Sequence, residues 1–256
     1  DQRLVRDGGR VPGLGPAMVF VHQSRDHGRI ERAPVDADAD RFFIEGRFAG
    51  GLSGDDNLVV KARDLLRAAL DAHGRPHGPV SILLDKNLPI ASGIGGGSAD
   101  AAATLRGLLR LWKAELPAEV MQQIALQLGA DVPMCLSSVP LRARGIGEAI
   151  ETVSMPALPL VLVNPLKPVS TLEIFRSLAR RDNPPIDETV VTTDVSQWLQ
   201  SLASLRNDLQ PPAEALVPDI AEACDLLRQS LAGFVRMSGS GATCFGLYET
   251  EAAAMK

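Results

Sequence analysis

With 256 residues, 45% of them hydrophobic, the chain can bury a real core in one large domain or two lobes. A net charge of −5 with scattered Lys and Arg argues against a general nucleic-acid binder, and seven Phe, two Trp and one Tyr are too few for a base-stacking platform. The three cysteines, Cys135, Cys224 and Cys244, are far apart and make no zinc pattern, no segment is apolar enough to span a membrane, and "DQRLVRDGGR" is no signal peptide, so a soluble protein of a reducing cytoplasm is expected.

Residues 1–16 are glycine-rich and match no element. "AMVFVH" (17–22) and "RFFIEGRF" (41–48) read as strands. Residues 56–73 form an amphipathic helix, with Leu58, Ala62, Leu65, Leu66 and Ala69 on one face and Asp56 placed to cap it. "PVSILLDKNLP" (79–89) is a strand ended by proline. Helices follow over about 98–113 and 117–128, then a hairpin over 141–153 turning at Gly145–Gly147. The proline-punctuated "SMPALPL" marks a lobe boundary, giving lobes 1–153 and 154–256. Beyond it come a buried strand (158–165), a helix (170–179), a loop (182–190) and a helix (219–231). Two strands, "GFVRMS" and "TCFGLYE", flank a second glycine turn. Strands and helices alternate without a strict βαβ rhythm, so the fold class expected is α+β rather than a doubly wound sheet.

The stretch "PIASGIGGGSADAAA" (89–103) sets four glycines against an alanine-rich helix start. A helix begins with N–H groups that lack an intrahelical partner, and its dipole adds about half a positive charge there. Glycine lets the preceding chain turn its own N–H groups inward, so the pattern suits an anion cradle. Ser98 is the expected N-cap, its hydroxyl alternatively reaching a phosphate or Mg²⁺. A plain flexible turn before a capped helix explains the same letters. Neither GxxxxGK[ST] nor a complete GxGxxG is present. Asp100, so near the cradle, would repel a phosphate and is expected to face a metal or a neighbouring loop.

"PIASGIGGGSADAAATL" resembles the ATP-binding loop of the GHMP kinases. "LGADVPMCL" (128–136), "ARGIGE" (143–148), "LVNPLKPVST" (162–171), "SLRNDLQPPA" (204–213) and "RMSGSGATCFGLY" (236–248) extend the likeness in the family's usual order. The branch they look most like phosphorylates 4-diphosphocytidyl-2-C-methyl-D-erythritol in non-mevalonate isoprenoid biosynthesis. The resemblance implies a two-lobe α+β fold with the active site between the lobes, ATP and Mg²⁺, and transfer to the substrate's 2-hydroxyl. By position it gives ATP binding to Pro89, Gly93, Gly95, Gly96, Gly97, Ser98, Gly239, Ser240 and Gly241. It gives catalysis to Asp131 and stacking on cytosine to Phe175; metal ligands stay unassigned. It implies a small-molecule partner, no nucleic acid or membrane, and a monomer or weak homodimer.

On the residues alone, Asp131 is a turn aspartate after Gly129, with Pro133 disfavouring helix at Val132. Leu172, Ile174 and Phe175 could all be core, and "GSG" an ordinary hairpin turn. Asn207 and Asp208 read as supports, and Arg144 and Glu148 as solvated charges. The family's opening strand with its lysine and its Gly-Tyr-His stretch find no match: the first lysine is Lys61 and the only tyrosine Tyr248. Two alternatives therefore stand beside the main reading. One is a GHMP kinase for homoserine, mevalonate or a sugar; the other is a nucleotide binder without catalysis.

Overall fold

The computed structural model describes residues 17–22, 30–32, 39–54, 56–180, 183 and 192–256. They gather into two compact units. The first takes the chain up to Asn87 together with Ala99–Leu128, and the second takes Leu88–Ser98 together with Gly129–Lys256. Residues 1–16, and the expected loop 182–190 apart from Asn183, lie outside the described residues.

The first unit is built on a sheet of β1 (Ala17–His22), β2 (Ile30–Arg32), β3 (Arg41–Glu45) and β4 (Ser81–Asp85), ordered β2-β1-β4-β3. β4 runs parallel to β1 on one side and to β3 on the other, and β2 returns antiparallel on β1. A strand with parallel neighbours on both sides is usually covered on both faces, so it carries an unbroken apolar run. Val80, Ile82, Leu83 and Leu84 are accordingly all buried.

Parallel strands need a crossover, and α1 (Leu58–Ala72) supplies it between β3 and β4. Val59, Ala62, Leu66 and Leu70 form its buried face, and each of the two leucines adds roughly 1.5–3 kcal/mol. The cap is Asn57, whose side-chain oxygen accepts the Val59 N–H at 3.0 Å. Asp56, expected there, instead pairs with Lys61. Asp40 fastens this unit: it accepts the Val80 N–H at 2.9 Å and an Arg67 N–H at 2.7 Å. Burial alone would raise its pKa, but the hydrogen bonds from Arg67 and Val80 and the charges of Arg67 and Arg63 hold it below the ordinary carboxylate value. From Ala99 onward α2 (Gly96–Trp112), followed by α3 (Ala118–Leu128), completes the unit.

In the second unit α4 (Val132–Ser137) leads to the expected hairpin, β5 (Leu141–Arg144) with β6 (Ala149–Thr152). Then come β7 (Leu160–Val163), α5 (Thr171–Arg176), α6 (Val195–Ala203), α7 (Gln210–Leu216) and α8 (Asp219–Gln229). β8 (Phe234–Met237), β9 (Cys244–Leu247) and α9 (Glu251–Ala254) end it. β9 is the middle strand of the antiparallel sheet β7-β9-β8. α8 joins the core of this unit with Ile220, Ala223, Cys224 and Leu227, alongside Met237 and Cys244.

Two further sequence expectations change in this unit. β7 is not a buried strand: Val161 and Val163 pack on the core, while Leu160 and Leu162 are about half exposed, because β7 is an edge. Val132 is helical despite Pro133, because the proline falls within the first two helical positions, where its missing N–H costs nothing.

Candidate active site

After β4 the chain enters the glycine loop. Left-handed φ values occur at Ala91 (50°), Gly93 (72°) and Gly95 (67°). Alternating such residues with ordinary ones turns successive N–H groups into one concavity. Half-buried Pro89 opens the loop. Helix α2 starts at Gly96, so Gly96, Gly97 and Ser98 are its first turn, and Ser98 lies inside the helix rather than at the cap. Their amides have no partner in the helix. That first turn holds no acidic residue, and a Cβ built on Gly95 would meet nothing within 4 Å. Open space, uncommitted amides and the positive end of a seventeen-residue helix fit a polyphosphate.

The second glycine turn, between β8 and β9, packs directly on the first. A Cβ on Gly93 would stand 2.5 Å from the carbonyl oxygens of both Ser238 and Gly241. The Ser238 hydroxyl donates to the Gly93 carbonyl at 2.8 Å, and the Thr243 N–H donates to the Ser92 carbonyl at 3.1 Å. Asn207 secures the turn from α7's side: its amide donates to the carbonyls of Met237 (2.9 Å) and Gly239 (2.8 Å). Asn164 donates to the Thr243 hydroxyl at 2.7 Å, and the Thr171 and Ser240 hydroxyls share a 2.8 Å hydrogen bond. Asp208 holds Arg206 and Asn183. Asn207 therefore braces the second glycine turn. The structure brings Gly93, Gly239, Ser240 and Gly241 into one assembly built largely of backbone.

Sequence reasoning missed Lys86. It is 5% exposed, and its ammonium meets the Asp100 carboxylate, 3% exposed, at 3.0 Å. Asp100 therefore faces a lysine. The available signal was a pair of opposite charges in otherwise apolar or small-residue surroundings, "SILLDK" and "SADAAA". Buried charges of that kind are paired.

Asp131 occupies the N-cap position of α4 with φ −85° and ψ −14°; it is exposed and makes no capping bond to the helix. Its position is fixed from behind. Gly147, in the β5–β6 turn, approaches so closely that a Cβ there would lie 2.3 Å from the Ala130 carbonyl oxygen. This ties "ARGIGE" to the residue preceding Asp131. Arg144 and Glu148 are exposed, and Glu148 accepts the Ile146 N–H at 2.6 Å. In α5 only Ile174 is core; Leu172 is 58% exposed and Phe175 48%. The Phe175 ring is thus half open to solvent beside a buried isoleucine. Among the described residues, no group of three or more His, Cys, Asp or Glu is placed to hold a metal, and no helix is long and apolar enough to cross a membrane.

The architecture is thus α+β, with a glycine loop at the start of a long helix. The family described as "GHMP kinases N terminal domain" matches residues 57–138, and "GHMP kinases C terminal" matches 192–256. A 4-diphosphocytidyl-2-C-methyl-D-erythritol kinase of Rhizobium johnstonii is 57% identical over 233 residues, covering 90% of this chain and 75% of its own. The enzyme of that name from Rhizobium meliloti is 57% identical over 218 residues, covering 84% and 72%. A solved 4-(cytidine 5'-diphospho)-2C-methyl-D-erythritol kinase superposes with a TM-score of 0.67 at 32% identity, over 85% of this chain and 76% of that one. The chain belongs to the GHMP kinase family. It is a small-molecule kinase, and its phosphoryl donor is ATP.

Proposed function

We propose that this kinase transfers the γ-phosphoryl group of ATP to the 2-hydroxyl of 4-diphosphocytidyl-2-C-methyl-D-erythritol, a step of non-mevalonate isoprenoid biosynthesis. The observation that carries the reading is the 57% identity to kinases of that name over 90% of the chain. The interlocked glycine turns support it, because they hold the loop that opens α2 in one fixed backbone arrangement. The amides of Gly93, Gly95, Gly96, Gly97 and Ser98 hold the phosphates, with Pro89 at the loop entrance and Gly239, Ser240 and Gly241 as the backing turn. Asp131 orients the acceptor hydroxyl and takes its proton as the oxygen attacks. Phe175 stacks on the cytosine ring. Phosphoryl transfer asks a protein chiefly for positioning and charge stabilisation, and rigid backbone serves both.

Mg²⁺, when bound, would supply charge neutralisation at the phosphates. This ion is commonly held by one or two protein groups together with phosphates and water, and the Ser98 hydroxyl in the first turn of α2 would be one such group. The ligand is a small molecule, with no nucleic acid or membrane partner, in a cytoplasmic monomer or weak homodimer. The test is incubation with Mg-ATP and 4-diphosphocytidyl-2-C-methyl-D-erythritol, followed by phosphorus NMR. A new phosphomonoester on the 2-hydroxyl is expected. Turnover of homoserine, mevalonate or a sugar instead would overturn the substrate, and ATP binding without turnover of any acceptor would overturn catalysis.

A further inference from the structure

Cys224 and Cys244 read as unrelated in the sequence, yet their sulfur atoms lie 3.3 Å apart. Cys224 sits in the middle of α8 and Cys244 opens β9; both are wholly buried. Val169, Ile174, Ile220 and Met237 belong to the same core. Polar company is sparse: the Gln210 amide is 3.7 Å from the Cys224 sulfur, and the Cys244 sulfur is 3.5 Å from the Ile220 carbonyl oxygen. All three cysteines of the chain are free thiols. The proposed phosphoryl transfer uses none of them.

We propose that Cys224 and Cys244 are a peroxide-oxidisable pair that closes to an intramolecular disulfide, and that closure weakens the glycine loop's hold on nucleotide. The sulfurs need to approach by about 1.3 Å to reach bonding distance. The pair is also primed. The two thiols share a hydrogen bond, which lowers the pKa of Cys224 and raises that of Cys244. One sulfur is thereby readier to become a thiolate while its neighbour keeps a proton.

In the first step the Cys224 thiolate attacks a peroxide oxygen. The S–O bond forms, the O–O bond breaks, and the released hydroxide takes a proton to become water. In the second step the Cys244 sulfur attacks the resulting sulfenic acid. The S–S bond forms, the S–O bond breaks, and the Cys244 proton leaves with that oxygen as a second water. The two thiols lose two electrons and the peroxide gains them. Peroxide is small enough to reach the pair through local opening of the core.

The consequence follows from what the crosslink brackets. Residues 225–243 contain β8 and the turn of Gly239, Ser240 and Gly241. Thr243, next to Cys244, holds the Ser92 carbonyl, and Gly241 abuts Gly93. A shift of Cys244 reaches the glycine loop within one residue. This second part rests on the reading of that loop as the ATP site.

The test treats the full chain with hydrogen peroxide, then alkylates it under denaturing conditions and maps its peptides by mass spectrometry. A Cys224–Cys244 linked peptide is expected, released by dithiothreitol and absent in Cys224→Ala and in Cys244→Ala, while Cys135→Ala still forms it. The KM for ATP should rise several-fold on oxidation and return on reduction, with no such change in Cys224→Ala. If Cys224 and Cys244 stay fully alkylatable at doses that oxidise Cys135, the pair is packing only and the proposal fails. A mapped disulfide with an unchanged KM overturns the link to the loop. If the reduced protein turns over no acceptor, the proposed function fails while the disulfide result stands by itself.

Discussion

Two regions of the second unit contrast in how they are made. Where Gly93 meets Ser238 and Gly241, the walls are main chain, and carbonyl oxygens stand 2.5 Å from where a Cβ would be. Where Asp131 and Phe175 stand, side chains project from short helices, exposed or half exposed. The first region works by shape, and any added atom disturbs its framework. The second presents functional groups, which can be exchanged with little cost to the fold. Binding and chemistry should therefore come apart under mutation.

Gly93→Ala is the harshest break. The residue must keep φ near 72° and place a methyl against two carbonyls. Left-handed backbone alone costs about 1–2 kcal/mol, and the clash adds to it. Both melting temperature and ATP affinity by calorimetry should fall, ATP binding becoming undetectable.

Lys86→Met asks whether burial gives a side chain the same intolerance that backbone has. It removes the ammonium that the buried Asp100 carboxylate meets, and breaking a buried pair in this way costs about 3–5 kcal/mol. Urea denaturation should show that loss, and adding Asp100→Asn should recover most of it. If the double variant is no more stable than the single one, the ion pair is not what holds this position.

Asp131→Asn belongs to the opposite pole. Turnover should fall about 10²–10⁴-fold, the usual worth of a positioned general base. ATP affinity should hold, and stability should change by less than about 0.5 kcal/mol because the residue is exposed. Undiminished turnover ends its catalytic role.

Gly147→Ala mixes the two modes, because it pushes on the Ala130 carbonyl behind Asp131. A lower kcat with an unchanged KM for ATP is expected, at a stability cost of about 1–3 kcal/mol for the strained position. Phe175→Ala should be mildest. The KM for the cytidine substrate should rise by the worth of one base stack, about 1–3 kcal/mol, while the KM for ATP and the melting temperature stay put. A large drop in melting temperature would return Phe175 to the core.

Local patterns made much of the fold legible. The helical spacing in α1 and the unbroken apolar run of β4 each follow from a rule that needs only neighbouring residues. The four clustered glycines likewise announced their turn. What stayed hidden depends on distance or on edges. Lys86 and Asp100 are fourteen positions apart and meet only in the folded chain. "LPLVLV" cannot say that β7 is an edge strand, so the exposure of Leu160 and Leu162 was invisible. Asn57 and Asp56 are adjacent, equally good caps, and the helix settled on Asn57. Cys224 and Cys244 carried no spacing signal, because a helix and a strand bring them together. The meeting of the two glycine turns was foreseeable only through resemblance to a family.

The bond from the Ser238 hydroxyl to Gly93 spans 145 positions of sequence. At about 5–20 residues per second, a ribosome emits the second partner roughly 7 to 30 s after the first. Through that interval a nascent copy displays an unfinished cradle, and a product aborted before Met237 never completes one.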